Sequence, residues 1–184
     1  MTIARLVARS DGDTRALLAP ACLATAYREL FPPLYRYVRF RVGDPGLAED
    51  LVADVFERAL RRLATVRQPE HLRPWLFTIA RRAVADHFRR SRPTTALEGM
   101  DERKELLADS PEGEIERQDE LRRLAACLLR LPEREREVLG LRFVARLSHR
   151  EIAGILGLSE ANVTQIAHRA RVKLRQRLSE EMAP

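Results

Sequence analysis

The 184-residue sequence predicts an all-α protein: two small helical domains joined by a flexible acidic linker, the C-terminal one containing a helix-turn-helix. Three observations carry that expectation. Apolar residues recur at three- and four-residue spacing through two long stretches, strand-forming runs are sparse, and charge is partitioned into blocks. Residues 20–93 hold 14 arginines against 8 acids, a net of +6. Residues 94–120 hold 3 basic residues against 10 acids, a net of −7, and residues 121–184 hold 13 basic against 7 acidic, again +6. Two basic modules therefore flank an acidic connector.

The composition narrows the class of protein. The basic side is almost wholly arginine, with lysine only at Lys104 and Lys173, and arginine suits bidentate phosphate and base-edge contacts. No run of about 18 apolar residues is present, and the chain does not open on a signal peptide, so a cytoplasmic protein without membrane insertion is expected. Cys22 and Cys127 lie far apart and form no C-x-x-C pair, which reads as two free thiols. His71, His87 and His149 have no metal-ligand spacing, so no metal or other cofactor is expected.

The elements can be justified in order. Residues 1–25 read as an N-terminal extension or a first helix broken near Pro20. Residues 26–93 read as the first helical domain. In "YRELFPPLYRYVRFRV" the apolar set is Leu30, Phe31, Leu34, Tyr37, Val38 and Val42, with Pro32 and Pro33 expected to force a helix start. The next helix is expected to begin with Asp44 as N-cap and Pro45 in the first helical position. Its inward stripe is Leu47, Leu51, Val55, Ala59 and Leu63, and its outer face carries Glu49, Asp50, Asp54, Glu57, Arg58, Arg61 and Arg62. After the loop "TVRQPEHLR", a third helix sets Trp75, Leu76, Ile79, Ala80, Ala83 and Phe88 towards the core. Arg81, Arg82, Arg89, Arg90 and Arg92 project outward from it, a basic helical face of the kind that meets nucleic acid.

Residues 94–120 form the acidic linker, which at about 3.3 Å per residue reaches roughly 90 Å if extended. The modules could then occupy DNA sites two helical turns apart, about 70 Å. Residues 121–180 read as the second domain. Leu121, Leu124, Cys127, Leu128 and Leu131 share a helix face that stops at Pro132, and Val138, Leu139, Leu141 and Phe143 form the next apolar set. Ser148 followed by Glu151 is a capping box, Gly157 frees a turn, and Ser159 caps a further helix with Glu160 at its positive end. Ala153, Gly157, Val163 and Ile166 are spaced as in a DNA-binding helix-turn-helix.

Both blocks resemble the extracytoplasmic-function (ECF) sigma factors, the promoter-specificity subunits of bacterial RNA polymerase. The likeness rests on "LYRYVRFRVGDPGLAEDLVADVFERAL", "LRPWLFTIARRAVADHFRRSRP" and "LPEREREVLGLRFVARLSHREIAGILGLSEANV…HRARVKLRQRL", in the order of sigma regions 2 and 4. The resemblance implies docking of Glu49, Asp50, Asp54, Glu57, Arg58 and Arg61 on the polymerase β′ coiled coil. It implies contact with the promoter −10 element by the "TVRQPEHLRPW" loop and the helix after it, through Arg67, His71, Arg73, Arg81, Arg82, Arg89 and Arg90. Ser159, Glu160, Ala161, Thr164, Gln165 and His168 would face the −35 major groove, with Arg169, Arg171, Lys173 and Arg175 on phosphates. Gln165 can pair with adenine, and Thr164 can touch a thymine methyl or donate a hydrogen bond.

The implied partners are the bacterial core RNA polymerase, through its β′ and β subunits, and promoter DNA, with room for an anti-sigma factor. Members commonly carry a basic residue where Thr164 and Ile166 stand, and an asparagine where Arg82 stands, so promoter preference at both elements is expected to depart from the usual. The implied protein has no enzymatic activity of its own. Two other readings compete. A stand-alone helix-turn-helix regulator would bind duplex without polymerase, and a nuclease would need Asp50, Asp54 and Glu57 to gather in a pocket that one arginine-bearing helix face does not supply.

Overall fold

The computed structural model describes residues 20–63, 66, 71–91 and 123–181. Residues 1–19, Arg67 and the acidic linker lie outside the described residues. The elements are α1 (Pro20–Val42), α2 (Pro45–Arg62), α3 (Leu72–Arg90), a short α4 (123–129), α5 (Glu133–Leu139), α6 (His149–Leu156) and α7 (Glu160–Glu181). Every regular element among the described residues is helical.

α2 forms as its sequence demands. The Asp44 side chain accepts a hydrogen bond from the Leu47 N–H at 2.6 Å, and Pro45 opens the helix where a missing N–H does no harm. Leu51, Val55, Ala59 and Leu63 are buried as expected, and Ala48 and Val52 widen the stripe. α3 buries Leu76, Ala80 and Ala83, but also Phe77 and Val84, while Trp75, Ile79 and Phe88 are only half-buried. Tyr37 and Phe77 meet edge-on in the core, their ring centroids 5.6 Å apart.

The double proline does not start a helix. α1 runs through Pro32 and Pro33, although each proline deletes a backbone donor that a regular helix would use. Aromatic packing on both sides of the break explains why the helix persists. Tyr27 lies 5.2 Å from Phe31 and 4.7 Å from Phe56 of α2, and Phe31 stacks on Tyr35. Leu30 and Leu34 are buried on the same face. Tertiary contacts thus override a local penalty of about 3 kcal/mol.

The second half packs on the first. After α5 the backbone widens into a π-helical segment, Gly140–Val144, closed by Ala145 N–H on the Gly140 carbonyl at 3.0 Å. Gly140 is needed here for space. A Cβ at that position would lie 2.8 Å from a ring carbon of Phe40 in α1, so any larger residue here would require that ring to shift. Buried residues of α1, α2 and α3 form one continuous core with Val138, Leu141, Leu147, Ile152, Val163 and Ile166. Phe143, one of that segment's expected apolar set, is 56% exposed. It lines an apolar cleft of about 410 Å³ with Phe40, Leu128, Leu139 and Leu174.

Arg146 closes the turn after the π segment with φ of 57°, the left-handed region that a side-chain-bearing residue adopts at a penalty. Its carbonyl, not its exposed side chain, is what α3 contacts. Arg146→Gly is therefore expected to raise unfolding stability by about 1 kcal/mol, read as a higher urea midpoint. A lower midpoint would mean that the arginine side chain itself holds the turn.

Candidate nucleic-acid interface

The helix-turn-helix is built as its sequence specifies. The Ser148 hydroxyl accepts from the Glu151 N–H at 3.2 Å, and the Glu151 carboxylate accepts from the Ser148 N–H at 2.7 Å, which completes the capping box of α6. Gly157 takes φ of 65°, and the chain returns so that the Leu158 N–H reaches the Ala153 carbonyl at 3.0 Å. The Ser159 hydroxyl accepts from the Asn162 N–H at 3.2 Å and opens α7. Ile152, Ala153, Val163 and Ile166 are buried where the helices cross.

One face of α7 is left outside. Ala161, Thr164, Gln165, His168, Arg169 and Arg171 are exposed, while Val163, Ile166, Ala167 and Ala170 point inward. A 3.6-residue period places Ala161, Thr164, Gln165 and His168 on one stripe, with the arginines a turn further along. Two residues expected on this face also make contacts within the domain. Lys173 is half-exposed and donates to Glu135 of α5 at 2.6 Å, and the Ser159 hydroxyl accepts in its cap while keeping its own proton.

The arginines of α3 divide into two groups. Arg82, Arg89 and Arg90 are exposed, with Arg89 paired to Asp86 at 2.7 Å, and His71 is exposed just before the helix. Arg81 and Arg73 turn towards the second half instead. Arg73 donates to the carbonyls of Ala145 and Arg146. Arg81 donates through Nε to Glu137 of α5 at 2.8 Å. Glu137 is a node that the sequence did not announce: it is 6% exposed and also meets Arg41 of α1 and Arg134 of its own helix. Arg41 reaches Glu133 as well. Burial pushes the Tyr37 hydroxyl up to about 12, with Glu137 adding to the rise and Arg41 and Arg81 opposing it. Burial weakens the Arg41 charge, but Tyr37, Glu133 and Glu137 outweigh that effect and hold its pKa above the ordinary value. No periodicity reveals such a cluster, because it assembles from residues 41, 81 and 137.

The outer face of α2 carries exposed Glu49 and Asp50 near its start, then the i,i+4 pairs Asp54–Arg58 and Glu57–Arg61. Beside them Tyr27, Phe56, Leu60, Leu63, Leu72 and Trp75 line an apolar groove of about 360 Å³, and Leu60 is 57% exposed. No helix among the described residues is long and apolar enough to cross a membrane.

Two arginine-rich helical units, the second a helix-turn-helix presenting a polar face, define a DNA-binding protein of helical architecture. The comparison with known proteins narrows that class. Residues 26–94 match the family model "Sigma-70 region 2", and residues 121–174 match "Sigma-70, region 4". The chain belongs to the RNA polymerase sigma factors, of the ECF type. It is 36% identical over 148 residues to the ECF RNA polymerase sigma factor BldN of Streptomyces coelicolor, covering 78% of this chain and 55% of BldN. It is 32% identical over 155 residues to the RNA polymerase sigma factor YlaC of Bacillus subtilis, covering 83% of this chain and 90% of YlaC. The chain thus spans about half the length of the first relative and nearly all of the second. Among solved structures, CnrH in complex with the cytosolic domain of CnrY superposes with a TM-score of 0.65 at 25% identity, covering 98% of this chain and 96% of that one.

Proposed function

We propose that this protein directs core RNA polymerase to specific promoters and helps open the −10 region, without enzymatic activity of its own and in the cytoplasm. The observation that carries the reading is the exposed stripe of α7, held rigidly by two side-chain caps and a buried crossing, behind a first domain that bears a separate arginine face. In this proposal residues 26–93 bind core polymerase and the −10 element, residues 121–180 read the −35 element, and residues 94–120 connect them. Gln165 on the open stripe is the base reader, and Arg169 and Arg171 grip phosphates.

The packed arrangement adds a condition. Arg73 and Arg81 are both engaged by the second half, so their use on −10 DNA requires the two halves to separate. Arg82, Arg89 and Arg90 need no such release. An anti-sigma factor is a further proposed partner.

Mixing the chain with core polymerase and a genomic promoter library, then mapping transcript starts, tests the whole reading. Start-site selection that depends on the chain supports it. Duplex binding that is tight without polymerase would favour a stand-alone regulator. On the −35 side, Gln165→Ala is expected to cost about 1–3 kcal/mol at a single base position. Arg171→Ala should weaken all sequences alike and flatten the salt dependence. Uniform losses from both, measured by titration on base-substituted duplexes, would overturn the division between reader and clamp.

A further inference from the structure

Thr164 stands on the exposed stripe of α7, yet its hydroxyl is already engaged within the domain. Its Oγ1 lies 3.0 Å from the Glu160 carbonyl oxygen one turn back, and 2.9 Å from Nδ1 of His149, the first residue of α6. A hydroxyl has one proton and two lone pairs. If the proton goes to the Glu160 carbonyl, a lone pair accepts from His149 Nδ1–H. If it goes to His149 Nδ1, it is again consumed inside the protein. In both arrangements no proton is left for a base.

We propose that His149 is a positioning residue for promoter specificity: by holding the Thr164 hydroxyl, it leaves Thr164 only a methyl group and a lone pair for the DNA. The proposal rests on the reading of α7 as the −35 reader. Its chemical consequence is definite. Guanine shows only the acceptors N7 and O6 in the major groove, and a hydroxyl without a free proton cannot satisfy them. Thymine offers a methyl for the Thr164 methyl to meet. The position under Thr164 is therefore set against guanine, while thymine is accepted through its methyl and adenine or cytosine through an amino hydrogen donated to the lone pair. The hydroxyl is also fixed as a rotor, because it is anchored from two helices, which leaves its methyl in one staggered position. His149 is half-buried and Thr164 exposed, so neither side chain is needed to fill the core.

The test is holoenzyme selection from a promoter library randomised at the −35 element, using the full chain with core polymerase. His149→Phe keeps a ring and removes Nδ1, so the hydroxyl loses its second anchor and can rotate its proton away from the Glu160 carbonyl towards a base acceptor. Discrimination of thymine over guanine is expected to fall about five-fold at one position, the scale of one hydrogen bond, with other positions unchanged. His149→Asn puts an amide where Nδ1 stood and should restore discrimination. Thr164→Val keeps the methyl and lacks the hydroxyl, so it should retain the bias against guanine, and His149→Phe should then have no further effect at that position. His149→Ala repeats the deletion without adding an aromatic ring. Three results would overturn the proposal: an equal loss across all bases, an asparagine variant that behaves like phenylalanine, or additive effects of His149→Phe and Thr164→Val. A holoenzyme that starts transcription but shows no −35 base preference at all would overturn the reading of α7 itself.

Discussion

Glu137→Ala is expected to lower unfolding stability by about 3–5 kcal/mol, the loss that follows when one partner of a buried ion pair is removed. The number rests on what is left behind. The Arg41 side chain is 7% exposed and that of Glu137 is 9%, so Arg41 cannot recover its hydration once the carboxylate is gone. Arg81 and Arg134, at 33% and 38% side-chain exposure, can turn to water and contribute little to the loss. Arg134→Ala should accordingly shift stability by less than about 1 kcal/mol. Glu133 also meets Arg41, which sets the expected loss towards the lower end of the range. The measurement is a urea unfolding curve, where a change in midpoint at constant slope reports stability alone. Equal small shifts for Glu137→Ala and Arg134→Ala would show that the node is solvated and does not join the halves.

This node also marks the limit of what the sequence shows. The inward stripe of α2, the Asp44 cap, the Ser148–Glu151 box and the left-handed Gly157 are local devices, and each is legible because its partners lie within a turn or two. Features that depend on distant residues are not legible. Arg41 and Glu137 are 96 positions apart, and nothing in "YRYVRFRV" separates Arg41 from Arg36 or Arg39 until the fold places one of them inside. The double proline misleads for the converse reason: its local penalty is plain, whereas the Tyr27–Phe31–Phe56 packing that overrides it spans two helices. The −35 stripe falls between these cases. Helical period alone picks out Thr164 and Gln165, but only the crossing of α6 over α7 shows that the Thr164 hydroxyl is taken. Arg81 was legible as basic and outward, and the structure shows that "outward" from the first domain means towards the second.

The exposed face of α2 supplies the second large effect. Exchanging the charges of one ion pair, Asp54→Arg together with Arg58→Asp, is expected to weaken binding to core polymerase at least 100-fold. In wild type the Asp54–Arg58 pair has an oxygen–nitrogen distance of 2.6 Å, with both side chains more than a third exposed. The exchanged pair can close the same i,i+4 bridge, and such surface pairs are worth only about 0.3–0.5 kcal/mol. Folding should therefore be unchanged, apart from a few tenths of a kcal/mol for the reversed orientation. Polarity along the face is another matter. Glu49 and Asp50 precede the pair, and Arg61 and Arg62 follow it, so the wild-type helix runs from acidic to basic as its dipole favours. Inverting the middle sets like charges against whatever partner complements that order, and such juxtapositions cost several kcal/mol, each 1.4 kcal/mol being tenfold in affinity. Equilibrium binding of the labelled chain to core polymerase, alongside a urea curve on the same variant, separates the two consequences. Wild-type affinity in a normally folded variant would remove α2 from the docking surface. Lost affinity with unchanged stability would place polymerase binding on this face, and the adjoining groove around Leu60 and Trp75 would then be the next surface to probe.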